Sequence, residues 1–247
     1  MTLSVLPVPG IPLVKPGDDL PGLIADALAA NGIALAAGDV VVVAQKIVSK
    51  AEGRLVALAD VAVTPEAEAL AATSGKSPAV AALILSEAAS VMRAVPNVIV
   101  VRNRLGHVLA NAGIDASNVE GSGHVLLWPV DPDASARAIR ARLGSDVAVI
   151  VSDSLGRAWR MGTMGTAIGC AGIRPVRDRC GEADLFGRVL QSTRIGVADE
   201  IAAAASLVIG EADEAIPVAI VRGAVYDRDE EAGVSALLRT AAEDLFP

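Results

Sequence analysis

Val147-Ala-Val-Ile-Val151 runs directly into Ser152-Asp-Ser-Leu-Gly-Arg157, and Asp39-Val-Val-Val-Val43 runs into Ala44-Gln-Lys-Ile-Val-Ser-Lys50. Each apolar run is short and rich in β-branched residues, so each reads as a buried strand with polar residues following it. Working outward, residues 97–102 and 216–221 give two further strands. A short strand within the first twenty residues leads into a turn-rich stretch punctuated by Pro7, Pro9, Pro12 and Pro16. Helices are expected over residues 19–31, 64–75, 78–92, 133–143 and 197–208, with Asn31, Gly75 and Gly144 as stops. Strands and helices intermix without regular βαβ alternation, so the fold class is α+β, a mixed sheet with packed Ala-rich helices. No repeat or linker divides residues 1–247, which read as a single domain.

Bulk composition narrows the function. The chain of 247 residues is 53% hydrophobic but only 2% aromatic, so its core is built of Ala, Val, Leu and Ile. A net charge of −8 argues against a general binder of nucleic acid or anionic membrane. The chain has no uninterrupted apolar stretch long enough for a span and no basic-then-apolar leader, so a cytoplasmic protein is expected. Cys170 and Cys180 lack metal-site spacing and read as free thiols. His107 and His124 are the only histidines, too few for a histidine-built zinc site.

The chemistry concentrates in a few places. Asn111-Ala-Gly-Ile-Asp-Ala-Ser-Asn118 and the stretch after Val151 each set an aspartate among small residues beside an apolar run. Asp115, Asp153, Ser154 and Glu211, each read as a loop residue beside an expected strand, offer only oxygen donors, which favours Mg²⁺ or Mn²⁺. Asp153 is the strongest of them, because an acid directly after a five-residue apolar strand needs a partner. Two of the four lysines, Lys46 and Lys50, follow the strand at residues 39–43, where an ammonium can reach phosphate oxygens. Gly75-Lys76-Ser77 ends like a P-loop, but Leu70 stands where the earlier glycine is required, and Pro78 follows. It reads as a helix stop. Seven arginines at positions 157, 160, 174, 177, 179, 188 and 194 face three acids in the same stretch, a local charge reversal suited to an anionic substrate, with about half expected to be surface ion pairs. Gly162, Gly165 and Gly169 form a small-residue face for tight packing against helices.

At these residues the chain resembles the coenzyme F420-0:L-glutamate ligases, the γ-glutamyl ligases of deazaflavin cofactor biosynthesis. The matching pieces, in family order, begin with Gly10-Ile-Pro-Leu-Val14 and Pro16-Gly-Asp-Asp-Leu20, then Lys46 to Arg54 and Asn111 to Val119. Asp131 to Ser135, Asp153 to Arg160, Val197 to Ala203 and Val221-Arg-Gly223 complete them. The resemblance implies an α+β fold, an intertwined homodimer and a GTP-dependent ligase that uses Mg²⁺ or Mn²⁺, with K⁺ assisting. It assigns Asp115, Asp153, Ser154 and Glu211 to two metal ions. It assigns Ile11, Pro12, Leu13, Val14, Gln45, Lys46, Lys50, Asn118 and the loop Ile209, Gly210, Glu211, Ala212, Asp213, Glu214, Ala215, Ile216 to GTP. Lys50 and Asp153 are the catalytic candidates, and the small-molecule substrates are F420-0, L-glutamate and GTP. Ala242 to Phe246 resembles the point at which two-domain relatives continue into a nitroreductase-like domain, which is not expected here. Two other readings stand beside this one: the same chemistry on a folate-like acceptor, and a non-catalytic nucleotide-binding protein.

Overall fold

The computed structural model describes residues 2–119 and 121–244; Leu245 and Phe246 of the C-terminal motif lie outside the described residues. In chain order the elements are β1 (Ser4–Pro7), α1 (Leu20–Ala30), β2 (Val40–Ala44), α2 (Gln45–Ala51), β3 (Leu55–Ala57), α3 (Pro65–Ser74) and α4 (Pro78–Glu87). Then follow β4 (Ala88–Val95), β5 (Val98–Asn103), β6 (Val108–Ala110), β7 (His124–Leu126), α5 (Pro132–Leu143) and β8 (Ala148–Arg157). The chain ends with β9 (Arg160–Ala171), β10 (Arg177–Asp178), β11 (Arg194–Ile195), α6 (Val197–Ile209) and β12 (Val218–Arg222).

The mixed sheet at the centre has the order β1-β12-β2-β8-β9. Its strands pair antiparallel except β2 with β8, which run parallel from Val40↔Ala148 to Ala44↔Ser152. Both faces are covered, which is why the central strands read as continuous apolar runs. Val41, Val43, Val149, Val151, Val218 and Ile220 face α1, α2 and α5. The alternate residues Val40, Val42, Ala148, Ile150, Ala219 and Val221 face α6. Asp39, 1% exposed, is tied across the sheet by a bidentate pair with Arg222, whose Nε and Nη2 donate at 2.9 and 2.6 Å. Beside this sheet, β4-β5-β6 form a small antiparallel sheet carrying α3 and α4, and β3 pairs with β7.

Helix starts follow a common local rule. Thr64, Ser77 and Asp131 each accept a hydrogen bond from a backbone N–H in the first turn, and each is followed by a proline at the first helical position. The P-loop look-alike is helix punctuation: Gly75, with φ of 70°, caps α3, and Ser77 caps α4.

Three expectations need correction. The helix expected over residues 78–92 stops at Glu87, and Ala88–Val95 is a strand, because β5 supplies a ladder that outweighs the helix propensity of alanine. Gln45 to Ala51, read from the sequence only as polar residues following the strand, forms a short helix. The strand expected at residues 147–151 runs on to Arg157 and turns back as β9, so Asp153 and Ser154 lie within a strand and not in a loop. The glycine face belongs to this hairpin. A Cβ on Gly165 would stand 2.3 Å from the Ala202 carbonyl oxygen of α6, and one on Gly169 would stand 2.3 Å from Pro132 of α5. The hairpin's turn is exposed, with Trp159 and Met161 88% and 98% accessible.

Candidate active site

The site lies at the C-terminal end of the parallel pair, where open mixed sheets collect ligands. After Ala44↔Ser152 the two strands part: β2 passes into α2, delivering Gln45, Lys46 and Lys50, while β8 continues with Asp153 and Ser154. Between them opens a cavity of about 280 Å³. Its walls come from three distant segments. Ile11 to Val14 follow β1, the residues just named come from the sheet and α2, and Ile209 to Pro217 form the loop from α6 into β12. Asn118 completes the lining from a fourth direction. Every residue assigned to the nucleotide from the sequence lines this one cavity, as do Asp153, Ser154 and Glu211.

Asp115 reaches the site differently. Its Oδ2 lies 2.6 Å from Lys46 Nζ, and its Oδ1 accepts from the Ser117 N–H at 2.6 Å. Burial works against the charge on Asp115, but the Lys46 and Ser117 contacts outweigh it and hold the carboxyl below its ordinary range. Lys46 shows the mirror image. Burial disfavours the ammonium, yet Asp115 foremost, with Asp153 and Glu211 behind it, keeps its pKa above the usual lysine value. Asp153 answers chiefly to burial, which raises its pKa to about 6 against the lowering effects of Trp128, Lys46 and the Ser154 N–H. Its Oδ2 accepts from Trp128 Nε1 at 2.8 Å and its Oδ1 from the Ser154 N–H at 2.9 Å.

The α2 wall and the loop from α6 into β12 are joined at Asn118. Its carbonyl accepts from Lys50 Nζ at 2.8 Å, and its side-chain Nδ2 donates to the Ala212 carbonyl at 3.1 Å. Asn118 sits at φ 54°, a left-handed conformation that asparagine tolerates better than most side chains. Gln45 is 1% exposed; its Nε2 is bonded to Ser49 Oγ at 2.5 Å, leaving Oε1 as a buried acceptor at the cavity wall.

The donors fit a hard divalent cation. Three carboxylates act on Lys46, all donors are oxygen, and the half-buried Asp153 carboxylate is disfavoured in its charged form by desolvation. Among the described residues no three acid, cysteine or histidine side chains form a ready cage. That suits a cation held by one or two carboxylates with ligand phosphates filling the remaining positions.

The arginine stretch divides. Arg174, Arg177, Arg179 and Arg194 pair with Asp229, Asp227, Glu182 and Asp178, as expected for about half the set. Trp128 was missed from the sequence. Its signal was a rare aromatic whose N–H needs an acceptor once buried. Cys170 and Cys180 are free thiols.

Comparison with known proteins bears on this arrangement. A family model described as F420-0:Gamma-glutamyl ligase matches residues 10–223. The chain belongs to this family. The matched span holds every cavity wall, from Ile11 to Pro217. Among its relatives is a protein named coenzyme F420:L-glutamate ligase from Methanothermobacter thermautotrophicus, 45% identical over 100% of this chain and 99% of that protein. Proteins of the same name from Methanopyrus kandleri and Archaeoglobus fulgidus are 43% and 41% identical, covering 99% and 100% of this chain and 98% and 97% of theirs. Among the described residues no single helix of this family member is long and apolar enough to cross a membrane.

Proposed function

We propose that the protein is a GTP-dependent ligase that joins L-glutamate to the terminal carboxylate of coenzyme F420-0, with further γ-linked glutamates as an extension of the same reaction. Family membership supplies the reaction class. The observation that carries the nucleotide part is the single cavity in which Ile11 to Val14, Lys46, Lys50, Asn118 and Ile209 to Ile216 meet.

In this reading the γ-phosphoryl group of GTP passes to the acceptor carboxylate, giving an acyl phosphate and GDP. The amine of L-glutamate then attacks the acyl carbon, phosphate leaves, and the amine proton passes to solvent. There is little covalent work for the protein in such a transfer; positioning and charge stabilisation dominate. Lys50, which donates to the Asn118 carbonyl, brings a positive charge to the phosphates at the cavity mouth. Lys46 carries a second, kept protonated by Asp115. Asp115, Asp153, Ser154 and Glu211 would hold Mg²⁺ or Mn²⁺, with K⁺ as an accessory; when bound, the divalent ion neutralises charge that develops on the transferring phosphoryl group. The apolar walls at Ile11, Ile209 and Ile216 suit a nucleoside. The exposed apolar turn at Trp159 and Met161, with Leu185 and Phe186 also fully or nearly fully exposed, supports association of two copies, and we propose a homodimer.

The test is mass spectrometry of F420-0 incubated with the protein, GTP, Mn²⁺ and L-glutamate, alongside a folate-like acceptor. The expected product is F420-0 heavier by one or more glutamyl residues, with GDP and phosphate released in step and all turnover stopped by EDTA. GTP bound without GDP release, or glutamate added to the pterin alone, overturns the proposal.

A further inference from the structure

We infer that Trp128 is a positioning residue for Asp153: its indole N–H fixes one carboxylate oxygen, so that the acid meets a divalent cation in a single orientation. The inference rests on the cation reading proposed above.

Trp128 is 3% exposed and does not line the cavity; it touches Asp153 from behind the wall. An indole has one donor and no acceptor, and this one is spent on Asp153 Oδ2 at 2.8 Å. The other oxygen, Oδ1, accepts from the Ser154 N–H at 2.9 Å. With one oxygen held by each donor, rotation of the carboxylate breaks at least one bond.

Trp128 is itself held on three sides, two at the ring and one at its backbone carbonyl. The His107 ring packs edge-on at 5.3 Å and 82°. The Trp128 carbonyl accepts from Arg54 Nε at 2.8 Å, and Arg54 is anchored by Glu87 at 2.9 Å. The third side is Gly113, where an added Cβ would lie 2.4 Å from Nε1. Gly113 stands two residues before Asp115, so one segment both seats the indole and supplies the second aspartate. The stretch Asn111 to Asn118 therefore serves both acids, one directly and one through Trp128. Outer groups that orient metal-binding carboxylates and imidazoles commonly change metal affinity 10- to 100-fold.

The experiment combines two measurements. In ¹⁵N spectra the protein's two indole signals belong to Trp128 and to the exposed Trp159, which serves as an internal reference. Asp153→Asn should move the Trp128 signal alone, and Mg²⁺ added to the unmodified protein should move it as well. Separately, Trp128→Phe should bind Mn²⁺ roughly 10-fold or more weakly, read from the free-ion signal in electron paramagnetic resonance. Its kcat should fall further than its KM for GTP rises. A Trp128 signal unmoved by both Asp153→Asn and Mg²⁺ overturns the inference whether or not Trp128→Phe folds. Folded Trp128→Phe that binds Mn²⁺ as tightly as the unmodified protein overturns it too, leaving the cation reading intact. No Mn²⁺ binding by the unmodified protein overturns the cation reading and this inference with it.

Discussion

Asp153 is where burial and function pull in opposite directions. A carboxylate so placed is costly for the fold unless its charge is used, and in the proposed phosphoryl transfer loss of that charge costs about 3–4 kcal/mol of transition-state stabilisation. Asp153→Asn is therefore expected to lower kcat by two to three orders of magnitude while the circular dichroism spectrum stays native; near-normal turnover would make Asp153 a structural acid. Lys50 and Lys76 offer a cleaner contrast. Lys50 lines the cavity and reaches Asn118, whereas Lys76 lies between the caps of α3 and α4. Lys50→Ala should lower kcat/KM for GTP clearly and Lys76→Ala should leave it unchanged, with GDP release as readout. His107 gives a stability test. Burial lowers its pKa to about 4, so the folded protein keeps it neutral while the unfolded chain takes up a proton below pH 6.5. Its contribution is fully present above pH 6.5 and is lost as pH falls towards 4, by about 3 kcal/mol. Urea titrations at pH 7.5 and 4 should show that loss shrinking in His107→Phe, which keeps a ring against Trp128. An equal loss in both proteins would assign the acid sensitivity elsewhere.

Among the elements, what was legible depended on how much of a segment's fate is local. Val40 to Val43 and Val147 to Val151 announce themselves because a strand covered on both faces has no polar alternation to confuse it. The caps at Thr64, Ser77 and Asp131 are equally local, and the helices they open begin where expected. Ala88–Val95 could not be read this way. No glycine or proline separates it from α4, much of it is exposed, and only pairing with β5 makes it a strand. Nor could β9, whose glycines weaken any strand reading until α5 and α6 are seen lying against it. The aspartates and lysines were legible as a set because the sheet brings strand ends together; Trp128 was not, since its role depends on a neighbour 25 positions away. The strand–helix contact is open to measurement. Gly169→Ala places a methyl group against Pro132 and should cost about 1–3 kcal/mol in urea unfolding, whereas Gly156→Ala, with nothing within 4 Å, should stay within about 0.5 kcal/mol. Equal effects would mean that α5 yields freely.

For the molecule as a whole, the β8–β9 hairpin connects site and surface. One end carries Asp153 and Ser154, and the other carries Trp159 and Met161 into solvent. If two copies associate through that turn, Trp159→Asp with Met161→Asp should convert a dimer to a monomer in sedimentation velocity; an unchanged sedimentation coefficient would move the interface elsewhere. The pairing of β1 with β12 has a different consequence, one that concerns how the chain is made. Ser4 lies beside Arg222, so β1 emerges from the ribosome long before β12, the strand it pairs with. Closing so long a loop is slow, and synthesis is vectorial. The cavity inherits this order, because Ile11 to Val14 follow the first of these strands and Ile209 to Pro217 precede the second. A nascent chain thus has no complete cavity until β12 has been made and the sheet shuts, and binding in that cavity becomes a report of closure.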